Sequence, residues 1–137
     1  MASGDGEHDM TVTHRRVGAA AVVTVTGEVD LRTAPRLRAA IAQALADASA
    51  DPVIVDLSAV VLLASAGLQA LGDAHAGCVT RQAQPLRVVV DHNRPAIRPL
   101  QLTGLDQVMR LFYDVDEALR AGPSPTADPS PSPDPVG

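Results

Sequence analysis

A chain of 137 residues with a formal charge of −5 has room for one hydrophobic core and little else. The acidic balance excludes a nucleic-acid or anionic-membrane binder built on a clustered basic face. The single cysteine, Cys78, excludes an intrachain disulfide and a cysteine zinc site, and the absence of lysine removes phosphate-loop and Schiff-base chemistry.

Met1 to Asp9 is polar, acidic and without an apolar run, so it reads as a disordered segment and not as a signal peptide. Thr11 to Val17 and Ala20 to Thr26 read as a β-hairpin around Gly18. Gly27 to Thr33 is predicted to be a loop ending in a helix start, with Thr33 as N-cap and Pro35 in the first turn. Leu37, Ile41, Leu45 and Ala48 then recur at helical spacing, with Arg36, Arg38, Gln43 and Asp47 largely on the other face. Asp51-Pro52 stops that helix.

Val53 to Leu57 is apolar and largely β-branched, as suits a strand buried on both faces of a partly parallel sheet. From Ser65 the period changes: Leu68, Leu71, His75, Cys78 and Val79 repeat every three or four residues. Leu86 to Val90 predicts another buried strand, ended by Asp91-His92-Asn93. Arg94 to Leu100 admits only a short helix, because Pro95 fits a first turn whereas Pro99 further along removes a donor. Thr103-Gly104-Leu105 turns the chain, Val108 to Phe112 predicts the last strand, and Val115 to Leu119 a closing helix. From Gly122 onward Pro, Ser and Asp predict an extended tail.

The fold class is therefore α/β, a single domain over residues 10–121 with a mixed sheet partly covered by helices in the order β-β-α-β-α-β-α-β-α. Residues 1–9 and 122–137 flank it as disordered ends. Phe112 and Tyr113 are the only aromatics, so Val, Leu, Ile and Ala must build the core. No apolar stretch reaches the roughly 20 residues of a membrane span, which makes the cytoplasm the default address. Arginine without lysine, with heavy Ala and Pro use, matches the coding of a GC-rich bacterial genome.

Three motifs in this order resemble the STAS domain (sulfate transporter and anti-sigma factor antagonist), above all its small bacterial single-domain members. Gly27-Glu28-Val29-Asp30 is similar to the family's Gly-Glu-Leu-Asp loop. Asp56-Leu57-Ser58 followed by Leu62-Leu63-Ala64-Ser65-Ala66-Gly67-Leu68 is similar to its Asp-Leu-Ser and Asp-Ser-Ser-Gly-Leu pair. Pro95-Ala96-Ile97-Arg98 with Leu102-Thr103-Gly104-Leu105 is similar to its Pro-Ala-Val helix and Thr-Gly-Leu ending. Ala64 and Ala66 depart from the motif, where the family has an acidic residue and a second Ser or Thr.

The resemblance implies an anti-sigma factor antagonist that binds an anti-sigma factor of the serine-kinase type and frees a sigma factor, with phosphorylation of Ser65 ending the binding. It implies partner contacts at Glu28, Asp30, Thr33, Ser65, Ala66, Gly67 and Gln69, and a phosphatase as a further partner. No enzyme activity, cofactor, metal, nucleic acid or membrane is expected. A non-phosphorylated scaffold or adaptor that docks to a sensor or phosphatase is the alternative.

Plainer readings stand beside these. Ser65 is at a position where serine commonly caps a helix, and Asp56 accepts backbone bonds in the following turn. Cys78 and His75 belong to the packed stripe of their helix, and His8, His14 and His92 have no metal-ligand spacing. Arg94 and Arg98 form surface ion pairs more readily than an anion pocket. A hydrolase elbow needs Gly-x-Ser-x-Gly, and Leu63 occupies the first glycine position.

Overall fold

Alternation along the two central strands sets the layers. The computed structural model describes residues 10–47, 49–91 and 97–122. Strand β1 (Met10–Val17) turns back into β2 (Ala20–Val29), and α1 (Ala34–Ala46) leads to β3 (Val53–Leu63). Helix α2 (Ser65–Thr80), β4 (Arg87–Val89), α3 (Ile97–Leu102), a 3-10 turn (Leu105–Gln107), β5 (Arg110–Phe112) and α4 (Val115–Arg120) follow. The sheet order is β1-β2-β3-β4-β5, antiparallel between β1 and β2 and parallel elsewhere. The predicted element order and the mixed sheet are therefore observed.

On one face, Ala21, Val23 and Val25 of β2 and Val53, Val55 and Leu57 of β3 pack under α1 and α2. On the other, Ala20, Val22, Ile54, Val89 and Phe112 pack under Ala118 of α4. Both central strands are thus buried on two faces, which is why they read as nearly unbroken apolar runs. Cys78 is fully buried, and burial pushes its thiol pKa up, with Arg81 opposing that shift. No helix among the described residues is long and apolar enough to cross a membrane.

Several boundaries differ from expectation, each for a local reason. β2 continues through Gly27 to Val29, where a loop was expected, because Gly27 takes φ 91° at a ladder irregularity and pairing resumes at Glu28. β3 runs on to Leu63 because two register shifts rephase it. Thr24 faces Asp56 and Thr26 faces Ala59, then Gly27 faces Val60 and Glu28 faces Leu62. Leu57, Val60 and Leu63 all stay in the core although they are three apart, a spacing that a regular strand would split between faces. Asp56 steadies the bulge, its Oδ1 accepting from the Ser58 N–H at 3.0 Å and the Ser58 hydroxyl at 2.7 Å.

The buried stripe of α2 is Gly67, Ala70, Leu71, Ala74 and Cys78; Val79 is exposed, and Leu68 and His75 are half-buried. Ladders β4 and β5 are shorter than expected, though Leu86 and Val90 flank β4 in the core. Among the described residues α3 covers Ile97–Leu102, a short helix as expected, and it runs through Pro99 to end two residues beyond the expected Leu100. Ala48 and residues 92–96, with His92, Arg94, Pro95 and Ala96, lie outside the described residues.

Two arginines lock the ends of helices. Arg81 donates to the Leu45, Asp47 and Ala50 carbonyls and so ties the end of α2 to the end of α1. Arg87 is 1% exposed. It donates to the Ala118, Ala121 and Gly122 carbonyls at 2.6, 2.8 and 2.9 Å and to Gln84 Oε1 at 2.5 Å. Arg110 donates to the same Gly122 carbonyl at 2.6 Å. Both guanidinium groups lie over the Phe112 ring, 6.0 and 5.3 Å from its centroid. Burial holds the Arg87 pKa below its ordinary value, and the neighbouring Arg110 charge adds to that. Gly122 is the last residue held in this way among those described. Removing residues 123–137 is expected to leave the melting temperature unchanged, since their composition cannot bury a core. A drop of several degrees in a thermal scan would contradict this.

Candidate functional site

Three pieces of backbone meet where α2 begins. Ala64 takes extended geometry (φ −87°, ψ 176°) as N-cap, and Ser65 is the first helical residue. The Ala64 N–H donates to the Val29 carbonyl at 2.8 Å, which brings the end of β2 against the start of α2. The Ala64 carbonyl accepts from the Gly67 and Leu68 N–H groups at 2.9 and 3.1 Å. Ala64 has no polar side-chain atom, and no side chain caps the helix. The Ser65 and Ala66 N–H groups, which a helix cannot bond internally, have no partner among the described residues at the positive end of a 16-residue helix.

Capping was the plain explanation for Ser65, and the geometry removes it: the serine stands one residue past the cap. Its side chain is exposed, and its hydroxyl has no hydrogen-bond partner among the described residues. A nucleophile needs a base within hydrogen-bond reach, and none of the described residues supplies one. The hydroxyl can accept a substituent, and an anionic substituent there would find unpaired N–H donors.

Gly67 sets how closely this helix start approaches the sheet. A β-carbon at position 67 would lie 2.6 Å from Val29 Cγ1 and 2.7 Å from Leu63 Cδ1, so only glycine fits without movement.

The loop after β2 borders the same end of the sheet. Asp30 N–H donates to Thr33 Oγ1 at 2.9 Å, and that hydroxyl donates to the Glu28 carbonyl at 2.9 Å. Asp30 Oδ1 accepts from the Arg32 and Thr33 N–H groups at 3.0 and 3.2 Å, and Arg32 lies 3.6 Å from Asp30 Oδ2. Burial pushes the Asp30 carboxyl pKa up, but these N–H bonds and Arg32 outweigh it and hold the carboxyl below its ordinary value. The bonded carboxylate therefore persists at neutral pH and is lost as pH falls through that lowered value.

The structure brings together most of the residues singled out from sequence. Ser65 and Gln69 are exposed one turn apart on the same side of α2, Ala66 is half-buried, and Glu28 and Asp30 are half-buried at the adjoining end of β2. Thr33 and Gly67 are buried, so they position the surface and do not offer one. Thr33 is the N-cap of α1 as expected, but its hydroxyl serves the loop and makes no cap bond to the helix. Sequence reasoning passed over Leu31, which is 82% exposed in the loop after β2, and Val61 and Leu62, which are 47% and 43% exposed near the end of β3. A leucine within an otherwise polar loop was the available signal.

The chain is also similar to known proteins in sequence and fold. A family model described as Mlab, STAS domain matches residues 12–113. The anti-sigma-F factor antagonist RsfB of Mycobacterium tuberculosis is 37% identical over 111 residues, 80% of this chain and 87% of that protein. The crystal structure of an anti-sigma factor antagonist from Mycobacterium paratuberculosis superposes with a TM-score of 0.73 at 34% identity, covering 82% of this chain and 92% of that one. The phosphorylated form of the Bacillus cell fate determinant SpoIIAA shares the fold at 19% identity, with a TM-score of 0.60 over 80% of this chain and 96% of that one.

Proposed function

The chain belongs to the STAS domain family, and from that premise we propose that it is an anti-sigma factor antagonist. Unmodified, it binds an anti-sigma factor of the serine-kinase type and so releases a sigma factor; phosphorylation of Ser65 ends the binding, and a phosphatase restores it. The names of the Mycobacterium tuberculosis and Mycobacterium paratuberculosis relatives, both above 30% identity, support the antagonist part. The cytoplasm, where sigma factors meet polymerase, is the corresponding address.

The observation that carries the switch is the open first turn of α2: an exposed, unbonded Ser65 hydroxyl beside N–H groups that Ala64 does not cap. A phosphoserine adds a charge of about −1.5 to −2 and strong acceptors. Those acceptors can take the free N–H groups, so the modified helix loses nothing by carrying the charge. A partner surface pressed on Ser65 would have to desolvate the same charge, and it resists. The switch thus acts through the interface and requires no rearrangement of the fold. Glu28, Asp30, Ala66 and Gln69 extend the contact surface, while Thr33 and Gly67 hold it in shape.

Purified anti-sigma factors from the source cell provide the test. Ser65→Ala is expected to keep both fold and affinity, because the hydroxyl makes no bond to lose. Ser65→Glu is expected to bind about a hundredfold more weakly, a cost of about 2.7 kcal/mol, while its melting temperature holds or rises, since an acidic side chain in a first turn favours the helix. Calorimetry and thermal unfolding on the same preparations separate the two effects.

The second reading is a non-phosphorylated scaffold or adaptor for a sensor or phosphatase. Ala64 favours it, since no carboxylate stands next to the acceptor serine. It takes over if folded Ser65→Glu binds like wild type and the kinase fails to label Ser65.

A further inference from the structure

Leu31 is 82% exposed in a loop whose other groups are tied down. Asp30 and Thr33 exchange bonds on either side of it, and Asp30 Oδ1 holds the Arg32 and Thr33 N–H groups. The backbone around Leu31 is fixed while its side chain projects into water. Just before its buried last residue, Leu63, β3 carries exposed Val61 and Leu62, and Leu62 faces Glu28 in the ladder. Two residues after Leu62, Ala64 is bonded to Val29. Ala64 and Ala66 place methyl groups on both sides of Ser65, and the Asp30 carboxylate is paired with Arg32.

Single exposed leucines are ordinary. Here one stands on a loop ordered in advance, and two further exposed apolar side chains and an alanine-flanked serine lie at the same end of the sheet. Ordering interface groups is among the main costs of association, and this loop has already met it. An apolar side chain on such a support can contribute its burial to binding without a further ordering cost.

We infer that Leu31 and Leu62 are the apolar anchors of this surface, and that the part of the anti-sigma factor that receives these two side chains is apolar. The inference rests on the antagonist reading above.

The experiment uses the full chain and purified anti-sigma factors, with affinity measured by calorimetry at low and high salt. Leu31→Ser and Leu62→Ser are each expected to weaken binding about tenfold, as loss of a buried leucine side chain from an interface would. Their melting temperatures should stay near wild type, because neither side chain is buried. Wild-type affinity should change little with salt, and binding should carry a negative heat-capacity change. If both serine variants bind like wild type while Ser65→Glu does not, the antagonist reading stands and the apolar anchors are wrong. Affinity that falls steeply with salt would likewise overturn the apolar patch in favour of a basic one. If wild type binds no anti-sigma factor, both ideas fall together.

Discussion

Gly67→Val is expected to cost about 3 kcal/mol or more of folding stability, at the upper end of overpacking effects, and to move Ser65 away from its position. The β-carbon alone would stand 2.6 Å from Val29 Cγ1, 2.7 Å from Leu63 Cδ1 and 3.3 Å from Val29 Cβ. The Leu63 methyl is the far end of a flexible side chain and can turn aside, but the β-branched Val29 is stiff and cannot. Val29 is fully buried and Leu63 nearly so, and the Val29 carbonyl is the acceptor that holds Ala64. Relief requires the first turn of α2 to lift off the sheet, which breaks that bond and opens the core around it. Gly67→Ala should show the same effect at about 1–3 kcal/mol. Gly122→Ala is the control, because nothing among the described residues lies within 4 Å of a β-carbon there. Urea unfolding of the three proteins, with anti-sigma binding measured on whatever remains folded, decides the matter. Equal stability of Gly67→Val and wild type would show that the contact is not as tight as described.

The second large effect is expected at Arg87. Arg87→Met keeps an unbranched side chain of related length but removes every donor, leaving the Ala118, Ala121 and Gly122 carbonyls without it. Stripping the partner from buried polar groups costs about 3–5 kcal/mol when a charged donor is involved. Arg87→Lys keeps the charge but presents three donors from one nitrogen, which cannot span acceptors spread along a helix end, so it should recover less than half of the loss. The damage should concentrate in α4, which closes the second face of the sheet over Ile54, Val89 and Phe112. Hydrogen exchange would report this as faster exchange across Val115–Arg120. An Arg87→Met protein with wild-type unfolding and unchanged exchange in α4 would refute the clamp.

Much of this architecture was legible from residue order. Val22, Val23 and Val25 and Val53 to Val55 are so largely apolar that a strand with two covered faces is the direct reading, and Leu37, Ile41 and Leu45 mark α1 by spacing alone, although Ala44, which that spacing passed over, is buried where Leu45 is only partly so. What escaped depends on geometry that spacing does not encode. Leu57, Val60 and Leu63 lose the period of two because the strand is bulged, so β3 seemed to stop six residues early. Gly27 looks like a chain break and instead lets β2 pass an irregularity. At the site, the position of Ser65 was readable, but its standing one residue past the cap turns on the backbone angles of Ala64. Arg87 could not be read at all. At the head of a strand it resembles an edge residue, and its acceptors are carbonyls 31 to 35 residues further along the chain.

The sheet also has two poles, and they divide the practical handling of this protein. Met10 pairs with Gly27, at the end of β2 that carries the Ser65 surface. Gly122 is gripped by Arg87 and Arg110, which head β4 and β5, and Arg87 pairs with Ile54 near the start of β3. An affinity handle or fluorescent reporter attached after Gly122 therefore leaves from the pole opposite the serine and keeps clear of whatever docks there. The same cargo placed ahead of Met10 crowds the docking end, and a binding assay built that way would report steric obstruction as weak affinity.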